Sequence, residues 1–102
     1  MSAPKNWIKS SNTAAQWNTL VTDAGAILSA VLISNLTGSP ISIQLRLATL
    51  AGIPLSTVLP AHDVTGYGAD VLNLRSLAIT ADQQLQLYTS ASGIQAVASG
   101  VL

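Results

Sequence analysis

Residues 41–48 read Ile-Ser-Ile-Gln-Leu-Arg-Leu-Ala, with a large apolar side chain at every second position. Successive side chains of a β-strand point to opposite faces of the sheet, so this alternation predicts a half-buried strand. Ile41, Ile43, Leu45 and Leu47 form the predicted buried face. The intervening residues form the predicted outer face.

The preceding run, residues 26–35, reads AILSAVLISN and is apolar at most positions. In a regular strand Ile27 and Ile33 fall on one face, whereas Leu28 and Leu32 fall on the other. A strand that is apolar on both faces is typically covered on both. We therefore expect this strand to be buried on both sides.

Residues 35–40, NLTGSP, separate these two strands and have the composition of a turn. The turn makes either a β-hairpin or a short corner. A third alternation over residues 55–59 is stopped by Pro60, and residues 61–69 are expected to be the longest irregular stretch. Further short strands reach the C-terminus. Six to eight short strands predict an all-β sandwich or barrel. Of these we expect a small antiparallel β-sandwich that is jelly-roll-like.

The first residues differ from the remainder because they are polar yet contain both tryptophans, Trp7 and Trp17. Large aromatic rings on a polar segment need a surface to bury against. We therefore predict an extended N-terminal arm over residues 1–22 and a sandwich domain over residues 23–102. The arm would lie on the sandwich or on a neighbouring molecule.

The charge content is low, with four Lys/Arg and four Asp in 102 residues, or 8%. Soluble domains average about 25% charged residues. The surface must be uncharged and polar or covered by other chains. A net charge of zero argues against a nucleic-acid partner, which needs a basic patch. No apolar run approaches the roughly 20 residues of a membrane span, so no membrane association is expected.

Catalytic chemistry has little support in the residues. His62 stands beside Asp63, with Asp70 nearby, but a proton-transfer or metal site needs further partners. The chain contains no cysteine, which excludes disulfides and thiolate ligands. We expect no enzyme activity, no catalytic residues, no metal site and no cofactor.

Contact residues are better candidates than catalytic ones, because Trp, Tyr and Arg are enriched at interfaces. For the two arginines, a contact with a partner and a solvated outer face are equally compatible with the sequence. Tyr67, between two glycines, would serve either as an anchor or, with Asp63, as a carbohydrate-stacking ring. The candidate interface residues are Trp7, Ile8, Trp17, Arg46, Tyr67 and Arg75.

Three segments resemble small virion proteins of tailed bacteriophages. The C-terminal run LRSLAITADQQLQLYTSASGIQAVASGVL, residues 74–102, is similar to the closing strands and turns of such proteins. LSAVLISNLTGSPISIQLRLAT, residues 28–49, resembles their hairpin, and KNWIKSS, residues 5–11, is similar to their start. The resemblance is one of strands and turns, and it implies no catalytic residues.

The resemblance implies a structural protein of a phage particle, located in the virion and assembled in the bacterial cytoplasm. The first expectation is a capsid decoration or cement protein that binds by shape and apolar contact. Its partners would be other copies of itself, in a trimer, and a major capsid protein. A neck, collar, tail-tip or fibre component is the alternative in the same class. A carbohydrate-binding module is the alternative from another class.

Overall fold

The computed structural model describes residues 3–102 and contains only β-strands and turns as regular structure. The strands number eight in the described chain, which confirms the all-β prediction. They are β1 Pro4–Lys9, β2 Gln16–Val21, β3 Ile27–Asn35, β4 Ile41–Thr49, β5 Pro54–Val64, β6 Ala69–Ala78, β7 Gln83–Thr89 and β8 Ile94–Val101.

The strands form two four-stranded antiparallel sheets that pack face to face. Sheet 1 has the order β1-β8-β3-β6, and sheet 2 has the order β2-β7-β4-β5. Consecutive strands alternate between the sheets, except β4 and β5, which are neighbours in sheet 2. This nested order is that of an eight-stranded jelly roll, so the predicted sandwich is confirmed down to its connectivity.

The core lies between the sheets and follows from alternation along the strands. In β4 the inward residues Ile41, Ile43 and Leu45 are at most 2% exposed, as the sequence predicts. Leu47 is only partly buried and packs on the edge of the core. In β8, Ile94, Ala96 and Ala98 point inward in the same way.

The prediction that β3 is covered on both faces is wrong. A bulge between Leu28 and Ala30 inserts Ser29 and shifts the alternation by one residue. Leu28 therefore joins Ile33 in the core with essentially no exposure, and Ile27 turns outward at 42%. The strand has one buried face, and its other face lies on the surface.

The predicted arm is not separate from the sandwich. Residues 4–9 pair with β8 at one edge of sheet 1, and residues 16–21 pair with β7 at one edge of sheet 2. Edge strands of a sandwich bury few side chains, which is why this segment reads as polar. The boundary between residues 22 and 23 falls inside one structural unit. Residues 1 and 2 of the predicted arm lie outside the described residues.

The predicted irregular stretch over residues 61–69 is largely a strand. β5 continues through Pro60 to Val64, because proline is tolerated on an edge strand. The register against β4 jumps between the Leu45–Leu59 pair and the Ile43–His62 pair, so a bulge absorbs the proline. Only residues 65–68 form the connection to β6.

The segment after β3 is a corner between the two sheets and not a hairpin, because β3 and β4 belong to different sheets. Asn35, 2% exposed, organises the corner. Its Nδ2 donates to the carbonyl oxygens of Ser39 at 2.7 Å and Val64 at 3.1 Å. Its Oδ1 accepts from the amide and the hydroxyl of Thr37 at 2.9 and 2.8 Å. All the polar atoms of this buried side chain are thus satisfied.

Candidate interaction surfaces

The outer face of sheet 1 presents four strands at the surface of the molecule. Side chains that are paired across neighbouring strands form rows that run perpendicular to the strands. Row 1 consists of Pro4, Val101, Ile27 and Ala78. Row 2 consists of Asn6, Ser99, Ala30 and Asn73.

Two more rows complete this face. Row 3 consists of Ile8, Val97, Leu32 and Val71. Row 4 consists of Gln95, Ser34 and Ala69. None of the residues in these four rows is charged. We call the four rows together the uncharged face.

The third row is apolar across the full width of the sheet, and all its members except the half-buried Val97 are exposed. Ile8 is 71%, Leu32 41% and Val71 71% exposed. An exposed apolar patch that is continuous across a sheet is typical of a contact surface, whereas isolated exposed apolar residues are ordinary. Sequence reasoning selected Ile8 but missed the others, because only the strand register brings them into one row.

The outer face of sheet 2 differs because polar groups satisfy one another there. Arg46 donates from Nε to Oε1 of Gln86 at 2.7 Å and from Nη2 to the carbonyl of Gly52 at 3.3 Å. Its guanidinium carbon lies 4.0 Å from the ring centroid of Trp17, and that ring also contacts Tyr88 at 5.4 Å between centroids.

Arg46 and Trp17 therefore engage each other and not a free partner surface. Desolvation lowers the pKa of the Arg46 guanidinium, which nevertheless stays charged at neutral pH. A groove of about 270 Å³ lies beside them, lined by Trp17, Arg46 and residues 54–57. This is a structured polar surface with one cation, in contrast to the uncharged face.

Trp7 does not lie on the surface as an interface anchor would. It is 8% exposed and belongs to the core, and its Nε1 donates to Oδ2 of Asp23 at 2.8 Å. Lys5 binds the same oxygen at 2.8 Å. The Lys5 hydrogen bond first, and the Trp7 hydrogen bond second, lower the pKa of Asp23 below its ordinary 3.8. The cluster ties β1 to the segment between β2 and β3.

Tyr67 is 80% exposed at the turn between β5 and β6. Its backbone has φ of 55°, and its amide donates to the carbonyl of Thr37 at 2.7 Å. A Cβ on Gly66 would overlap the carbonyl group of Gly38, so glycine is needed there for close approach of the turn to the corner. The turn presents the Tyr67 ring to solvent from a hydrogen-bonded base.

Arg75 lies in an irregularity of β6. The register against β3 passes from the Leu28–Leu77 pair to the Ala30–Asn73 pair, so residues 74–76 oppose a single residue. Arg75 and Ser76 both have positive φ, at 50° and 65°. The exposed Arg75 side chain thus stands at the edge of sheet 1, outside the four rows.

Each edge strand carries a feature that opposes pairing with another strand. β1 contains Pro4 and two lysines, and β5 contains two prolines. β6 has the Arg75 bulge, and β2 shifts register between Thr19 and Val21. Prolines, charges and bulges at edges are devices against edge-to-edge association. These features oppose the addition of a further strand at any of the four edges.

The open side of the sandwich, between β5 and β6, has a crevice of about 290 Å³. Its walls include Ile33 and Ile43, and its mouth carries His62 and Asp70, whose Nε2 and Oδ2 are 2.8 Å apart. His62 thus pairs across the sheets with Asp70 and not with its neighbour Asp63. A nucleophile or a third ligand would be required for catalysis or metal binding.

Within residues 3–102, no group of three or more His, Cys, Asp or Glu side chains is placed to hold a metal ion. The same residues include no helix that is long and apolar enough to cross a membrane. No protein-family model matches the chain, and no curated protein is significantly similar to it.

Proposed function

We propose that the chain is a structural protein of a bacteriophage particle, in the first instance a decoration or cement protein of the capsid. The observation that carries the proposal is the uncharged face, which leaves apolar residues exposed on β1, β3 and β6 with the half-buried Val97 of β8 between them. Burying such a face against another protein removes apolar area from water without stranding a charge. The resemblance to tailed-phage virion proteins supplies the class of assembly.

The proposed contact does not involve an N-terminal arm that lies on a neighbouring molecule. Trp7 is in the core and Trp17 is stacked on Arg46, so neither is free to reach a neighbour. The surfaces that remain are the uncharged face, with Ile8 in row 3, and the loop end that carries Tyr67. We infer that these two surfaces between them contact other copies of the chain and virion proteins such as a major capsid protein, while the blocked edges prevent open-ended association.

The test compares particles made with and without the chain. Deleting its gene from the genome that encodes it should leave particles that lack one repeated density with dimensions near 41 × 27 × 20 Å in an electron cryomicroscopy reconstruction. If this density surrounds the shell, the protein is a decoration protein. Density at the neck or tail would favour the alternative position. Identical reconstructions with and without the gene would refute a structural role.

A carbohydrate-binding module is a second candidate, and the exposure of Tyr67 favours it, since open aromatic rings stack on sugars. It predicts glycan-array binding that Tyr67→Ala removes and Tyr67→Phe retains. The matched control is Tyr88→Phe on sheet 2, which leaves the ring near Trp17 in place. An array with no bound glycan would exclude this candidate for the glycans tested.

A further inference from the structure

The uncharged face has a regular relief. Rows 1 and 3 carry larger apolar side chains, including Ile27 and Leu32. Row 2 carries small side chains on the two central strands, Ser99 and Ala30, whereas row 4 has the small Ser34 on β3 but the longer Gln95 on β8. Alternate residues of a strand are about 6.8 Å apart, so a ridge and the neighbouring valley are separated by about that distance.

We propose that the partner of the uncharged face is a second copy of this chain, joined by a two-fold axis. The axis would run parallel to the rows, in the plane of the contact, midway between rows 2 and 3. Rotation about it places row 3 of one copy over row 2 of the other and row 1 over row 4. Row 3 then meets the valley of row 2, row 1 meets the small Ser34 of row 4 only on β3, and each strand lies over the same strand of the second copy.

The centre of this contact is the β3 strand of each copy. Leu32 of one copy would insert beside Ala30 of the other, and the two-fold axis repeats the contact. The bulge at Ser29 lies between rows 1 and 2 and widens that step. The inner pair of rows therefore fits more closely than the outer pair.

Charge favours the same occupant. An uncharged apolar face requires a partner face without unpaired charges, because a desolvated lone charge is costly. A second uncharged face meets this condition in its four rows, with the exposed Arg75 of each copy at the margin of the contact, on the edge strand β6. The outer face of sheet 2 does not, since Arg46 lies on it without a carboxylate partner within 4.0 Å among the described residues.

The area sets the expected strength. Four strands at about 4.8 Å and four rows at about 6.8 Å give a footprint of roughly 500 Å² per copy. The total of about 1,000 Å² is at the lower end of specific interfaces, so we expect a dimer that dissociates in the micromolar range. Two-fold pairing also favours a dimer over the trimer expected from the sequence.

The inference deepens the proposed function, on which its biological role rests, but its test does not need the particle. Light scattering of the purified chain from about 1 μM to about 1 mM should show a mass that rises from 10.5 kDa toward twice that value. Leu32→Asp should stay monomeric throughout. Leu55→Asp, which changes a similarly exposed leucine on sheet 2, should dimerise like the unaltered chain.

Exchange of ridge and valley tests the register itself. Ala30→Leu fills a valley and Leu32→Ala removes a ridge, so each should weaken dimerisation at least about tenfold. The double variant moves the ridge into the valley and should recover most of the loss, because 30 and 32 face each other across the axis. A double variant no better than the weaker single one would refute this arrangement. Far-ultraviolet circular dichroism checks that all variants remain folded.

Three outcomes would overturn the inference: a monomer at every concentration, a mass that saturates above the dimer, or equal loss in Leu32→Asp and Leu55→Asp. The proposed function fails separately. If the purified chain forms the dimer but deletion of its gene leaves the particles unchanged, the dimer inference stands and the virion role is refuted. If the purified chain is a monomer but is present in the particles, the virion role stands and the dimer inference is refuted.

Discussion

Replacing Asn35 with alanine tests whether the corner between β3 and β4 stabilises the fold. The substitution removes four hydrogen bonds, two donated by Nδ2 and two accepted by Oδ1. Water can replace the bond to the exposed Ser39, but Val64 is fully buried. An unsatisfied buried carbonyl costs about 1–3 kcal/mol, and each remaining bond contributes about 0.5–1 kcal/mol. The buried carbonyl and the two bonds from Thr37 together give an expected loss of about 2–5 kcal/mol.

The assay is urea unfolding followed by tryptophan fluorescence, at a protein concentration low enough that self-association makes no contribution. Such a loss corresponds to a melting temperature lower by about 8–40 °C for a domain of this size. Asn6→Ala is the matched control, because the exposed Asn6 has a single surface bond, from the Ser99 hydroxyl. It should cost less than about 0.5 kcal/mol. A loss below about 1 kcal/mol in Asn35→Ala would refute the reasoning.

Three further predictions concern stability. Gly66→Ala should cost about 1–3 kcal/mol because the added methyl group overlaps the Gly38 backbone. Gly38→Ala is the control and should cost less, because its methyl group meets only the movable Tyr67 ring. Equal unfolding midpoints of the two variants would contradict this reasoning. Because the pKa of Asp23 is lowered on folding, its contribution is present above pH 3.8 and disappears as the pH falls through its folded value. Asp23→Asn should therefore be destabilised at pH 6, and its difference from the unaltered chain should shrink as the pH falls below 3.8. A difference that does not change with pH would count against the Lys5–Asp23 contact. Leu45→Ala should cost about 2–5 kcal/mol by calorimetry, and a smaller loss would mean that the core collapses around the deletion.

The alternation in β4 was sufficient to predict a half-buried strand, because a regular strand transmits its period directly to burial. β3 was mispredicted for a local reason. One inserted residue, Ser29, reverses which side chains point inward, and nothing in an apolar run marks its position. The structure has the jelly-roll connectivity that the sequence predicts, because short strands separated by turns have few arrangements that bury all of their apolar faces.

The surfaces were harder to predict because they depend on pairing between distant residues. Ile8 and Val71 share a row only through β8 and β3, although they are 63 positions apart in the chain. Trp7 was assigned to an interface because its neighbours are polar, yet edge-strand residues alternate between solvent and core. The His62–Asp70 contact likewise joins two edges of different sheets. Local composition carries no information about such pairs.

The copy number of the chain in purified particles tests the structural role most directly. Quantitative mass spectrometry should find the chain at a constant ratio to the major shell protein through successive rounds of density-gradient purification. This is the expected result for a component that occupies symmetric sites. A ratio that falls toward zero with each round would show that the chain is not part of the particle and would contradict the account.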